Sequence, residues 1–141
     1  MITSVFKKST PINLFLVVIL MLVFFFIHLF QDLTWTSSVV SILQKGGLFL
    51  IMLGSVFMAN FIAKKNGLSK DSSYTILFYF LFLMFFPSVF GNTNLFLSNF
   101  FIILALRRLI SLQSLKASKE KIFDASLWIF VASLFHFWCI V

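Results

Sequence analysis

Apolar residues fall along the chain in five blocks separated by short polar connections. A helix needs about 20 mostly apolar residues to cross the hydrocarbon of a bilayer, because each residue adds about 1.5 Å. Every block reaches or approaches that length. The pattern therefore predicts an all-α polytopic transmembrane helix bundle, with spans at about 11–30, 47–63, 74–90, 92–110 and 122–141. The first block carries no charge, and Ser9, Thr10 and Pro11 supply a cap followed by a first-turn proline. Lys7 and Lys8 would suit a signal peptide, but the apolar run exceeds the usual length of about 7–15 residues and no small-residue cleavage site follows. We read it as an uncleaved anchor. The second and third blocks are slightly short, with Pro87 near the exit of the third. The fourth is the weakest, since Arg107 and Arg108 must snorkel to an interface. The fifth includes Asp124.

Between the first two spans, Gln31 to Gly47 is too polar to cross. Its Leu33, Val39, Val40, Ile42 and Leu43 fit either a short interfacial helix, with Trp35 at headgroup depth, or a plain loop. No fixed-period repeat and no linker divides the chain, so residues 1–141 form one transmembrane domain.

Composition removes the soluble alternative. Hydrophobic residues make up 61% and charged residues 11%, against about 45–50% and about 25% in ordinary domains. With 22 phenylalanines and a mean hydropathy of +1.09, too little polar surface remains to clothe a globule in water. The net charge of +7 would suggest nucleic acid in a soluble domain. Here the cations lie between apolar blocks, and topology explains them without a nucleic-acid partner. Lys7, Lys8, Lys64, Lys65, Lys70, Arg107, Arg108, Lys116, Lys119 and Lys121 all fall on one side of the five-span plan, and only Lys45 falls on the other. The positive-inside rule then places the N-terminus in the cytoplasm and the C-terminus outside. The lone Cys139 excludes an internal disulfide and any multi-cysteine metal or redox motif. It reads as a small apolar residue near the membrane surface rather than a reactive thiol.

Small residues mark helix contacts in lipid. Span two carries Ser55, Ala59 and Ala63 at four-residue spacing, with Gly47 and Gly54 seven apart. Span five carries Ala125 and Ala132, then Ser126 and Ser133, also seven apart. These two spans are expected to form the packed centre. Span one has no Gly, Ala or Ser from Ile12 to Phe30, which places it at the edge or leaves it to pack through bulky side chains.

No phosphate loop, HExxH, paired cysteine ligands or nucleophile elbow is present, so neither a cofactor nor a metal is expected. The remaining candidates are polar groups in or near the bilayer, which are costly there. His28, Gln31 and Asp32 share one helical face at the outer end of span one. His136 lies toward the outer end of span five, on the face of Ala125, Ala132 and Ser133, while Asn92, Asn94 and Asn99 enter from the outer end of span four. One reading is an outer-leaflet pocket with catalytic candidates Asp32, His28 and His136, in which Asp32 is a base or metal ligand. The plainer reading has His28 and Asp32 in interfacial water, His136 bonded to a neighbouring helix, and the asparagines capping span four. A metal site of two histidines and one carboxylate would require a convergence that spacing does not show. On the inner side, Arg107 or Arg108 is placed to pair with Asp124 across a short loop. The rival reading is that Arg107, Arg108, Lys116, Lys119 and Lys121 bind anionic lipid headgroups or a lipid-linked phosphate. Asn60 and Lys64, one turn apart, belong to the same inner layer.

The stretches MITSVFKKSTPINLF, NLFLSNFFIILALRRL and KIFDASLWIFVASLF resemble the N-terminal half of an uncharacterised family of bacterial polytopic inner-membrane proteins. The resemblance covers the whole chain and implies that it is the N-terminal part of a protein about twice as long. It brings no established activity and no catalytic residues. Two classes of function follow. The first is a membrane subunit, scaffold or transporter-like component, with the bilayer and other membrane subunits as partners; Pro87 with Gly91 before a short fourth span is the only hint of transport. The alternative is a membrane glycosyltransferase that takes a polyprenyl-phosphate sugar as its lipid-linked substrate, with Asp32 as the outer-face acid. Against it, the outer loop is short and holds a single acid where such enzymes usually have a longer one. The expectation is that Asp32 matters little.

Overall fold

A computed structural model describes residues 6, 11–31, 36, 38–68, 72–114 and 116–140. Among them every regular element is helical, and the chain divides into two compact units, Met1–Gly91 and Asn92–Val141.

The first unit holds α1 (Pro11–Gln31), α2 (Val39–Lys65) and α3 (Tyr74–Phe85), followed by a 3-10 turn at Pro87–Gly91. The first helix starts at Pro11, where a fixed φ and a missing N–H cost nothing. It buries Asn13, Val17, Met21, Phe25 and Leu29, a single ridge at four-residue spacing. Its other faces leave Ile12, Phe15, Ile27 and Phe30 largely exposed, as suits a helix with lipid on most sides. Packing here runs through bulky side chains.

The second helix begins eight residues before Gly47. The apolar residues Val39, Val40, Ile42 and Leu43 are thus its own first turns, not a separate interfacial helix or a loop; Trp35 lies outside the described residues. Ser38 sets that start, its hydroxyl accepting from the Val40 N–H at 3.3 Å. At the far end Gly67 adopts φ 70°. The Leu68 N–H bonds the Ala63 carbonyl and the Gly67 N–H that of Lys64. This Schellman pattern satisfies the final carbonyls, and glycine takes the left-handed position without a Cβ penalty.

The third helix is shorter than the expected span. Pro87 pushes Phe86 out of helical space, to φ −122° and ψ 68°, so α3 stops at Phe85. Twelve residues rise about 18 Å, against about 30 Å of hydrocarbon. It packs on both α1 and α2. Ser73 ahead of it donates its backbone N–H to the Phe6 carbonyl at 2.9 Å, tying the buried Phe6 to this unit.

The second unit is an antiparallel hairpin of α4 (Thr93–Ile110) and α5 (Ser118–Phe135), joined through a 3-10 turn at Ser111–Ser114. Asn92 caps α4, its Oδ1 accepting from the Asn94 N–H at 3.2 Å. The fifth element runs from Ser118 to Phe135 and not from 122 to 141. His136 then turns extended, at φ −147°, before a 3-10 turn at Phe137–Ile140. Neither glycine nor proline marks that break.

Among the described residues three helices are long and apolar enough to cross a membrane: Pro11–Phe30, Val39–Lys65 and Thr93–Ser114. The fourth block, expected to be the weakest, is among them because both arginines lie in its last turn. Tyr74–Phe85 is apolar but short, and α5 carries Lys119, Glu120, Lys121 and Asp124 in its first two turns.

Candidate functional site

The charged chemistry of the described residues gathers at the α4–α5 turn. Arg108 Nη2 lies 3.1 Å from Asp124 Oδ2, with the two side chains 48% and 39% exposed. Lys121 Nζ donates to the Ser111 carbonyl at 2.8 Å and to Ser114 Oγ at 2.7 Å. A cation on the carbonyl end of α4 satisfies orphan acceptors and opposes the helix dipole. Ala117 completes the turn in the left-handed region, at φ 50° and ψ 44°, a conformation that disfavours any residue with a Cβ. Of the five cations expected to bind an anion, Arg108 and Lys121 thus hold the turn. Arg107, Lys116 and Lys119 are exposed around it, with Glu120 among them. This is a fastened turn with a mixed-charge surface.

The packing beneath it shows why the pair forms. Ala125 and Ala132 on α5 are fully buried, as are Ser98 and Ala105 on α4. Both sets are seven residues apart. Between these levels the Phe101 ring stacks on Trp128 and on Phe135, at 5.7 Å from each and within 14° of parallel. The antiparallel register that seats Phe101 between those rings also brings Arg108 level with Asp124. Ala125 and Ala132 therefore face α4 within their own unit. Within this unit α4 is the partner of those alanines.

The two histidines lie in different units, each placed by its own surroundings. His28 is half-buried, its ring 5.4 Å from that of Phe90, which Phe24 meets edge-on at 5.3 Å. It thereby joins α1 to the 3-10 turn after α3. His136 is the residue at which α5 ends, so it leaves the face of Ala125 and Ala132; its N–H bonds the Ala132 carbonyl and its carbonyl accepts from Cys139. The two belong to different units, and Asp32 lies outside the described residues. Among the described residues no three metal-capable side chains gather.

Polar groups along the spans are mostly turned inward on their own helices. The hydroxyls of Ser55, Ser98, Ser126 and Ser133 donate to carbonyls three or four residues back, which satisfies them where water is absent. Asn99 is half-buried with its interaction made. Asn60 is buried and its Oδ1 has no hydrogen-bond partner among the described residues. Asn13, not singled out from the sequence, is more deeply buried at the start of α1 and is engaged. Its place on the ridge with Val17 and Met21 is the signal that would have found it. In α2, Ser55 and Ala63 are buried as expected, while Ala59 and Gly54 are half-buried. A Cβ added at Gly47 would meet nothing within 4 Å, so this glycine does not mark a close helix contact.

Two apolar grooves also escaped the sequence. One, of about 640 Å³, runs between α1 and α3 and is walled by residues such as Leu20, Val23, Phe24, Phe80 and Met84. The other, of about 290 Å³, lies between α1 and α2 and has Lys45 in its wall. No family model, curated protein or solved structure matches the chain.

Proposed function

We propose that this is a multi-pass protein of a bacterial inner membrane that works without catalysis, as a membrane subunit, scaffold or transporter-like component. Its N-terminus is cytoplasmic, and the chain crosses five times. The observation that carries the non-catalytic reading is the use of the charged groups at the α4–α5 turn. Arg108, Asp124 and Lys121 fasten two helices to one another, so these groups serve the fold of the hairpin. Broad exposed apolar faces on α1, α3 and α5 suit contact with lipid or with other membrane helices. The five-crossing topology rests on the side-alternating cations, with α3 and its following turn as the third crossing and α5 as the fifth.

Cys139 is the only cysteine, so topology can be read with a membrane-impermeant maleimide on intact cells. Cys139 should label from outside. In a Cys139→Ser background, Ser38→Cys should label likewise, and Ser114→Cys only after permeabilisation. Labelling of Ser38→Cys and Ser114→Cys from the same side would overturn the topology. For function, Asp32→Asn should leave every cell-envelope glycan unchanged and should leave intact any partner recovered by cross-linking in membranes. A well-expressed Asp32→Asn protein that abolishes a glycan would instead establish the glycosyltransferase.

A further inference from the structure

We infer that the groove between α1 and α2 is a binding site for one anionic phospholipid, with an acyl chain in the groove and the phosphate on Lys45. The groove is walled by Leu22, Phe26 and Leu29 from α1 and by Ile42 and Phe49 from α2. Residues at these spacings line one face of each helix over about 10 Å. Its floor is closed where the Phe25 and Phe49 rings meet at 5.2 Å. Gly46 lies in the wall, and a Cβ built there would meet nothing within 4 Å. The missing side chain leaves the groove open to a flexible hydrocarbon.

Lys45 is what selects the occupant. Among the described residues it is the only polar side chain in the groove wall, and no described carboxylate lies within 4.0 Å of it. Long side chains on a helix lean toward its N-terminus, which for Lys45 is the Ser38 end of α2, and a lysine stem of that length lets its ammonium reach headgroup depth. Lys45 and Lys64 stand about 28 Å apart along α2, close to the thickness of the hydrocarbon core. Lys45 therefore sits near the depth of lipid phosphates, while the part of the groove from Lys45 to Phe49 sits at the depth of their chains. A single amine at that depth favours a lipid with net negative charge by about five-fold over a zwitterionic one. The larger α1–α3 groove has wholly apolar walls and offers no such choice, which makes it an internal control.

This inference rests on the membrane placement proposed above, and its test separates the two. The full chain is reconstituted in phosphatidylcholine vesicles doped with phosphatidylglycerol or phosphatidylcholine bearing a photoactivatable acyl chain, and cross-linked residues are mapped by mass spectrometry. Cross-links near Phe26 and Ile42 should favour phosphatidylglycerol about five-fold, and those near Val23 and Met84 should show no preference. Lys45→Gln should erase the preference, Lys45→Arg should keep it, and Gly46→Leu should reduce cross-linking by both lipids at this groove alone, with helicity unchanged throughout. Equal labelling by the two lipids near Phe26, a preference that survives Lys45→Gln, or links from this groove to a second copy of the chain would overturn the inference. Loss of lipid cross-links at both grooves would overturn the membrane placement instead.

Discussion

The two units join their helices in different ways. In the hairpin, alanine and serine at heptad spacing bring α4 and α5 close, Phe101 is held between Trp128 and Phe135, and the turn is clasped by Arg108–Asp124 and Lys121. In the first unit, α1 meets its neighbours along one ridge of large side chains, and grooves remain on both sides of that ridge. Lipid chains are as apolar as leucine, so burying leucine against protein gains little over leaving it in lipid. What distinguishes protein from lipid as a neighbour is close fit and satisfied polar groups. The hairpin has both, whereas α1 offers its neighbours chiefly area.

The strongest way to break this contrast is to enlarge a small residue in each unit. Ala132 is fully buried, so Ala132→Leu should cost about 3 kcal/mol by overpacking, measured as unfolding free energy in detergent micelles. Gly47→Ala in the first unit meets open space and should instead gain about 0.5–1 kcal/mol from helix propensity. Equal losses at the two sites would abolish the distinction. Next in size is Phe101→Ala, expected to cost about 2 kcal/mol through the loss of two stacked ring pairs, with the near-ultraviolet circular dichroism of the tryptophans falling in parallel.

The two left-handed residues give a mirrored pair of smaller effects. Gly67→Ala introduces a Cβ at φ 70° and should destabilise the end of α2 by about 1 kcal/mol. Ala117→Gly relieves one at φ 50° and should stabilise the hairpin by about 0.5 kcal/mol, read from hydrogen-exchange protection at each helix end. Equally small is Asp124→Asn. With both partners of the ion pair well exposed, it should cost about 0.5 kcal/mol. A loss several times larger would show that the hairpin depends on its clasp more than on the fit between its helices.

Much of this was legible one element at a time. The Asn92 cap and the pairing of an arginine with Asp124 each follow from residues a short distance apart, governed by local sterics or by one short loop; the stop at Phe85 is equally local, set by Pro87, although the expected span runs on to 90. Other features were not. The capping role of Lys121 depends on a 3-10 turn and on Ala117 adopting a left-handed conformation, and nothing in SLQSLKASKEK requires either. The helical face expected to carry His136 ends one residue before it, without a glycine or proline to announce the break. The catalytic reading of Asp32 falls on a residue outside those described, and its proposed companions His28 and His136 belong to separate units.

By itself the sequence determined that this chain is helical and built for lipid, because hydropathy and composition act residue by residue and sum over a window. It also set most helix starts and stops, since capping, proline and glycine act within a few residues. Only the tertiary structure decided that Ala125 and Ala132 meet α4, that Gly47 meets nothing, and that a lysine stands in the wall of an apolar groove. Those outcomes depend on shape complementarity between segments far apart in the chain. In lipid, where hydrophobicity does not rank one apolar partner above another, that fit alone selects which helices meet.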